Sequence, residues 1–133
     1  MQPYLECLAF RLDMEDGSLC YSGDSGASDE IVELAKGCDI LIHMNHCFSG
    51  TAPTPAYRDA VGHHRSNALT AQRAGVKTLV LVHALRQIDQ PRIREQIVHE
   101  IQQEFTGKVK CIYIDPPYGI KFNSNWQVST RKR

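Results

Sequence analysis

No stretch of this 133-residue chain approaches the roughly 20 consecutive apolar residues that a membrane-spanning helix needs. The best apolar run, Leu79-Val80-Leu81-Val82, is broken at once by His83. A C-x-x-C pair, an internal repeat and a low-complexity segment are all missing, and the formal net charge is zero. Disordered, collagen-like and disulfide-scaffold classes are thereby excluded. Residues 1–10 carry no basic stretch ahead of an apolar core and no small-residue cleavage site, so a secretory signal is not expected there. Cys7, Cys20, Cys38, Cys47 and Cys111 are odd in number and mostly lie inside apolar runs. That pattern fits buried thiols in a reducing cytoplasm and disfavours a structural zinc-thiolate site. The expectation is a soluble, cytoplasmic protein without a membrane segment.

What is present suffices for one domain with a real core: hydrophobic residues make up 42% of the chain. The zero net charge conceals a division near Gly107. Residues 1–107 hold 9 basic and 14 acidic side chains, whereas residues 108–133 hold 6 and 1. A basic end of this kind suits contact with nucleic acid or a membrane surface, or marks a stretch of different history.

Leu5 to Asp13 and Ser18 to Ser22 read as two strands of a hairpin turning on Asp16-Gly17. Ser28 can cap a helix with Asp29 and Glu30 in its first turn, Ile31, Leu34 and Ala35 on one face, and Gly37 as its stop. Ile40 to Ile42 is a buried strand, and a long loop rich in Ser, Gly, Thr and Pro runs from about His46 to Gly62. A second helix is expected over Ser66 to Ala74, a strand over Thr78 to His83, a third helix from about Asp89 to Phe105, and a last strand over Val109 to Ile114. The alternation predicts an α/β fold, an opening hairpin followed by β/α units around a mostly parallel sheet. Right-handed crossovers then collect the strand C-termini on one rim, where open α/β sheets bind ligands.

Asp24, just past the first strand of the β/α series, His43 at the end of the second and His83 at the end of the third are expected on that rim. Asp24, between Gly23 and Ser25, is either a turn residue bonding its own backbone or a ligand. His83, at the end of an apolar strand, is either a hydrogen-bonded rim residue or a ligand. Together they offer the oxygen and nitrogen donors of a zinc or manganese site. His63 and His64 precede the second helix, as an exposed pair or as imidazoles beside a bound anion. His43 and His46 have a weak metal spacing, and His99 reads as a surface residue.

Tyr21-Ser22-Gly23-Asp24-Ser25-Gly26, the helix Ser28 to Gly37, the strand Asp39 to His43, and Ala74-Gly75-Val76-Lys77-Thr78-Leu79-Val80-Leu81-Val82-His83 occur in an order and spacing that resemble a known family. Residues 5–107 resemble the C-terminal half of a metallo-β-lactamase-fold hydrolase, in the branch near ribonuclease Z. The resemblance implies half of an αββα sandwich. It also implies that Asp24 bridges two metal ions (zinc, or else manganese or iron), that His83 is a ligand of one, and that His64, more than His63, steadies negative charge near the scissile group. The implied reaction is hydrolysis of a phosphodiester, ester or lactam by metal-activated water. The His-x-His-x-Asp-His signature of the family's N-terminal half does not occur in the chain. Residues 1–107 are accordingly expected to form a half-domain with weak metal binding and one uncovered sheet face, hence to self-associate.

Beyond Gly107 the pattern changes. Asp115-Pro116-Pro117-Tyr118, after an apolar strand, resembles the motif with which adenine-N6 DNA methyltransferases hold a flipped base, although a strand followed by a Pro-Pro turn explains it too. A glycine-rich loop for S-adenosylmethionine does not accompany it. Lys108, Lys110, Lys121, Arg131, Lys132 and Arg133, interleaved with Tyr113, Tyr118, Phe122 and Trp126, suit contact with nucleic acid, while residues 123–133 read as a solvated, disordered end. Two functional classes follow: a metal-dependent hydrolase half acting on an ester or a nucleic-acid phosphodiester, and a nucleic-acid-binding or methyltransferase-derived piece. An inert α/β module is the third, plainer possibility.

Overall fold

The protein is described here by a computed structural model that covers residues 7–48, 51–84 and 90–112. Its elements are β1 (Phe10–Met14), β2 (Gly17–Tyr21), α1 (Asp29–Ala35), β3 (Ile40–Met44), α2 (Pro55–Val61), α3 (His64–Ala74), β4 (Thr78–Val82), α4 (Pro91–Glu104) and β5 (Lys108–Ile112). The strands form one sheet in the order β1-β2-β3-β4-β5. β1 and β2 are antiparallel, and every later pairing is parallel. The expected hairpin and β/α alternation are both present.

Several boundaries move. Met14 pairs with Gly17, so the hairpin turns on Glu15 and Asp16, and Gly17 is already strand. β1 starts at Phe10, while Leu5 and Glu6 lie outside the described residues, as do Tyr113 and Ile114 of the last expected strand and everything after them. The segment expected to be a loop contains α2. Thr54 caps it by accepting the Tyr57 N–H, and Pro55 opens its first turn. None of its residues is buried, so no apolar stripe marks it in the sequence. α3 begins at His64, two residues before Ser66, because the ring of His63 takes the capping role usually filled by a small polar side chain.

The core lies on one face of the sheet. Cys20, Leu41, Leu79 and Leu81 pack there against Ile31 and Ala35 of α1, Ala68, Ala71 and Ala74 of α3, and Ile97 and Ile101 of α4. The alanines of α3 leave no side-chain bulk between helix and sheet. On the opposite face Phe10, Leu12 and Met14 are more than half exposed, and Tyr21 and Ile40 are exposed beside them. No helix among the described residues covers them, and none of the five is charged. No helix among the described residues is long and apolar enough to cross a membrane. Cys7, Cys20, Cys38 and Cys47 are free, and burial next to Cys38 pushes the Cys20 thiol up to about 11.

His43 shares the helix-covered face with Leu41 and is fully buried. Burial lowers its pKa from 6.5 to about 4. A histidine whose folded pKa lies below its unfolded value contributes stability above pH 6.5, and that contribution is lost as the pH falls through 4, since protons then favour the unfolded chain. Thermal unfolding is expected to show a loss of about 3 kcal/mol over this window from His43 alone. His43→Leu should flatten that dependence, and an unchanged slope in the variant would refute the assignment.

Candidate functional site

The parallel ladder holds Tyr21 opposite Ile42 and Met44 opposite Val82, so the C-termini of β2, β3 and β4 share one rim. The turn after β2 is fastened there by short bonds. Ser22 is fully buried, donates its backbone N–H to Ile42 O at 3.0 Å, and accepts the Met44 N–H on Oγ at 3.2 Å. Ser25 Oγ donates to Ser22 O, and the Gly26 N–H donates to Ala60 O at 3.0 Å. A Cβ at Gly26 would lie 2.0 Å from Asp59 O, so only glycine allows this turn to reach α2. Asp24 is thereby presented at the rim with its side chain mostly in solvent.

His83 follows directly on β4 with φ +57, the only described non-glycine residue in the left-handed region. Such a backbone costs about 1–3 kcal/mol and is often associated with a functional position. It brings His83 Nδ1 to 3.4 Å from Asp24 Oδ1. The ring of His46 stands edge-on to that of His83 at 5.7 Å between centroids and to that of Tyr57 at 6.1 Å. Burial, and then the neighbouring His83, lower the pKa of His46.

The two adjacent imidazoles part company. His64 is buried, with Nε2 2.8 Å from Glu100 Oε2, and Arg65 Nε reaches the same oxygen at 3.3 Å. Burial lowers its pKa, against the opposing pull of Glu100. His63 stacks on His64 at 4.4 Å and accepts the Arg65 N–H on Nδ1. The structure thus brings Asp24 and His83 together and places His64 against Glu100 of α4. His99 is exposed, as expected, while Asp115 to Tyr118 and the basic residues after Lys110 lie outside the described residues.

Donors about 2.1 Å from one ion at the tetrahedral angle lie about 3.4 Å apart, so the Asp24–His83 separation fits two ligands of a single zinc or manganese ion. Two donors are fewer than a catalytic zinc uses. Among the described residues no group of three or more His, Cys, Asp or Glu side chains is arranged to hold a metal. The pair fits part of a metal site.

No family model matches the chain. Over 110 residues it is 31% identical to an uncharacterized protein of Mycobacterium tuberculosis, a match covering 82% of this chain and 37% of that protein. Over 114 residues it is 31% identical to ribonuclease Z of Mycobacterium tuberculosis, covering 82% of this chain and 41% of the relative. Among solved structures, the metallo-beta-lactamase fold protein YhfI from Bacillus subtilis superposes with a TM-score of 0.62 over 80% of this chain and 40% of YhfI, at 18% identity. The chain has part of the metallo-β-lactamase fold. It spans 37% to 41% of the length of these proteins. The metallo-β-lactamase fold was legible in residues 21–26 and 74–83, and the similarity to ribonuclease Z agrees with the branch expected for residues 5–107.

Sequence reasoning passed over Tyr57, Arg58 and Glu100. Tyr57 and Arg58 lie on the helix that carries no apolar stripe. Glu100 is separated from His64 by 36 positions, and only the packing of α4 on α3 reveals the pairing. Removing its carboxylate by Glu100→Ala takes away a partner of both His64 and Arg65. Denaturant unfolding should show a cost of about 1–3 kcal/mol. The exposed neighbour Gln103→Ala should stay within about 0.5 kcal/mol.

Proposed function

We propose that this chain supplies the Asp24 and His83 ligands of a divalent-metal hydrolase site that cleaves a phosphodiester, the remaining ligands coming from polypeptide that the chain does not contain. The observation that carries this reading is the meeting of Asp24 and His83 at 3.4 Å from two strand ends on one rim. The 31% identity to a protein named ribonuclease Z supports a nucleic-acid phosphodiester as substrate, in preference to a small ester. Metal ions at such a site activate water and stabilise negative charge on the phosphoryl oxygens. The chain's own residues prepare the place: Ser22, Ser25 and Gly26 fix the Asp24 turn, and the left-handed backbone aims His83 across it. His64, tied to Glu100, positions the stacked ring of His63. Steadying of charge near the scissile group is assigned to His64, the imidazole that Glu100 holds. The free thiols accord with a reducing cytoplasm.

Titration with manganese, followed by paramagnetic broadening of amide signals, is expected to show weak binding centred on Asp24 and His83. Asp24→Ala and His83→Ala should each abolish it. Two tightly held ions per chain after dialysis would overturn the view that the site is incomplete.

The same reading assigns a second function to the apolar patch on the uncovered sheet face. Phe10, Leu12 and Met14 lie exposed where a two-layered sandwich would bury them, so the isolated chain should self-associate through this face. Light scattering is expected to give a mass above that of the 15.0 kDa monomer. Phe10→Lys combined with Leu12→Lys should return it to the monomer, and a clean monomer of the unsubstituted chain would count against the assignment.

A further inference from the structure

A cavity of about 400 Å³, lined by neither Asp24 nor His83, opens between residues 52–55 and the start of α3. Phe48, Pro53 and Pro55 are among its apolar lining residues, and Arg58, His63 and Arg65 among its polar ones. Among the described residues no acidic side chain lines it. Both guanidinium groups are anchored beside it. Arg58 Nε and Nη2 lie 2.8 Å from Asp59 Oδ1, while Arg65 Nε lies 3.3 Å from Glu100 Oε2 and its Nη2 donates to Gln103 at 3.1 Å. A guanidinium carries five N–H donors, so each keeps donors beyond these bonds. His63 is 8% exposed, and its Nδ1 accepts the Arg65 N–H, which leaves the ring proton on Nε2. Burial first, then the neighbouring His64 and Arg58, lower its pKa to about 4, so at neutral pH the ring is an uncharged donor.

Two guanidinium groups, each paired with a carboxylate that does not line the cavity, and a neutral N–H donor among apolar side chains make a poor site for a metal and leave donors for an anion borne on an organic body. We propose that this cavity binds a phosphate monoester, its oxyanion held by Arg58, His63 and Arg65 and its organic part resting on Phe48, Pro53 and Pro55. A planar guanidinium fork bonds phosphoryl or carboxylate oxygens at two points, and a tetrahedral phosphate offers three terminal oxygens, enough to meet donors from two guanidinium groups and an imidazole at once. The proposal does not depend on metal binding by Asp24 and His83.

The test titrates inorganic phosphate and phenyl phosphate into the full chain with EDTA present, read by backbone amide shifts. Saturable shifts centred on His63, Arg65 and residues 54–58 are expected, with phenyl phosphate binding more tightly than inorganic phosphate. Arg58→Gln and His63→Asn should each weaken binding about tenfold. His63→Asn keeps a side-chain acceptor for the start of α3 while removing the donor. Arg58 lies on a helix with no buried residue, so Arg58→Gln decides the matter if the histidine variant fails to fold. Asp24→Ala should leave phosphate binding unchanged, which separates this proposal from the metal reading. Shifts centred on Asp24 and His83, an affinity unmoved by Arg58→Gln, or a response that sodium chloride reproduces would each overturn it. Equal affinity for the two probes would overturn the role of the apolar lining.

Discussion

The parallel pairing of β2, β3 and β4 is the constraint on which every other feature rests. A shift of one residue of β3 in that ladder would turn Leu41 and His43 out of the helix-covered core and bring the side chains of Ile40 and Ile42 into it. The same shift would separate the strand ends from which Asp24, His46 and His83 depart. Ser22 makes the register and the rim a single object: buried at the end of β2, it bonds both Ile42 O and the Met44 N–H of the adjacent strand. Core packing and site geometry are therefore fixed by the same few hydrogen bonds.

The polar interior above α3 is organised by a second, smaller set of bonds. Asn67, fully buried on α3, donates to Met44 O at 2.7 Å and to Asn45 Oδ1 at 3.3 Å, tying the helix to the end of β3. Gly62, with φ +79, brings its backbone against the same carbonyl, where a Cβ would lie 2.3 Å away. His63 and His64 emerge directly from this junction, so their positions follow from backbone contacts more than from the chemistry of their own rings. Glu100 then fixes His64 from α4.

Much of this was legible before the structure. Ser28 caps α1 as its position suggested, Gly75 ends α3 in the left-handed conformation, and the apolar run from Thr78 is a strand with Leu79 and Leu81 buried. Asp24 and His83 could be nominated because strand ends in a parallel sheet converge by topology. What escaped was carried by surface or by distance. α2 buries nothing, so periodicity is blind to it, and its Thr54-Pro55 start was the available signal. The Glu100 contact with His64 depends on how two helices cross, which no local pattern encodes. His63 as a helix cap runs against ordinary capping preference, and for that reason the sequence pointed to Ser66.

α2 is attached to the rest of the molecule largely through its backbone: Ala60 O receives the Gly26 N–H, Val61 O that of His46, and Gly62 O that of Cys47. Those bonds ask nothing of the side chains of residues 55–61, and the core asks nothing of them either. Such a segment can exchange its outward residues while the rim beside it stays in register. Divergence of ligand preference between related chains is thus decoupled from the folding problem, and residues 55–61 are where a change of specificity would cost the scaffold least.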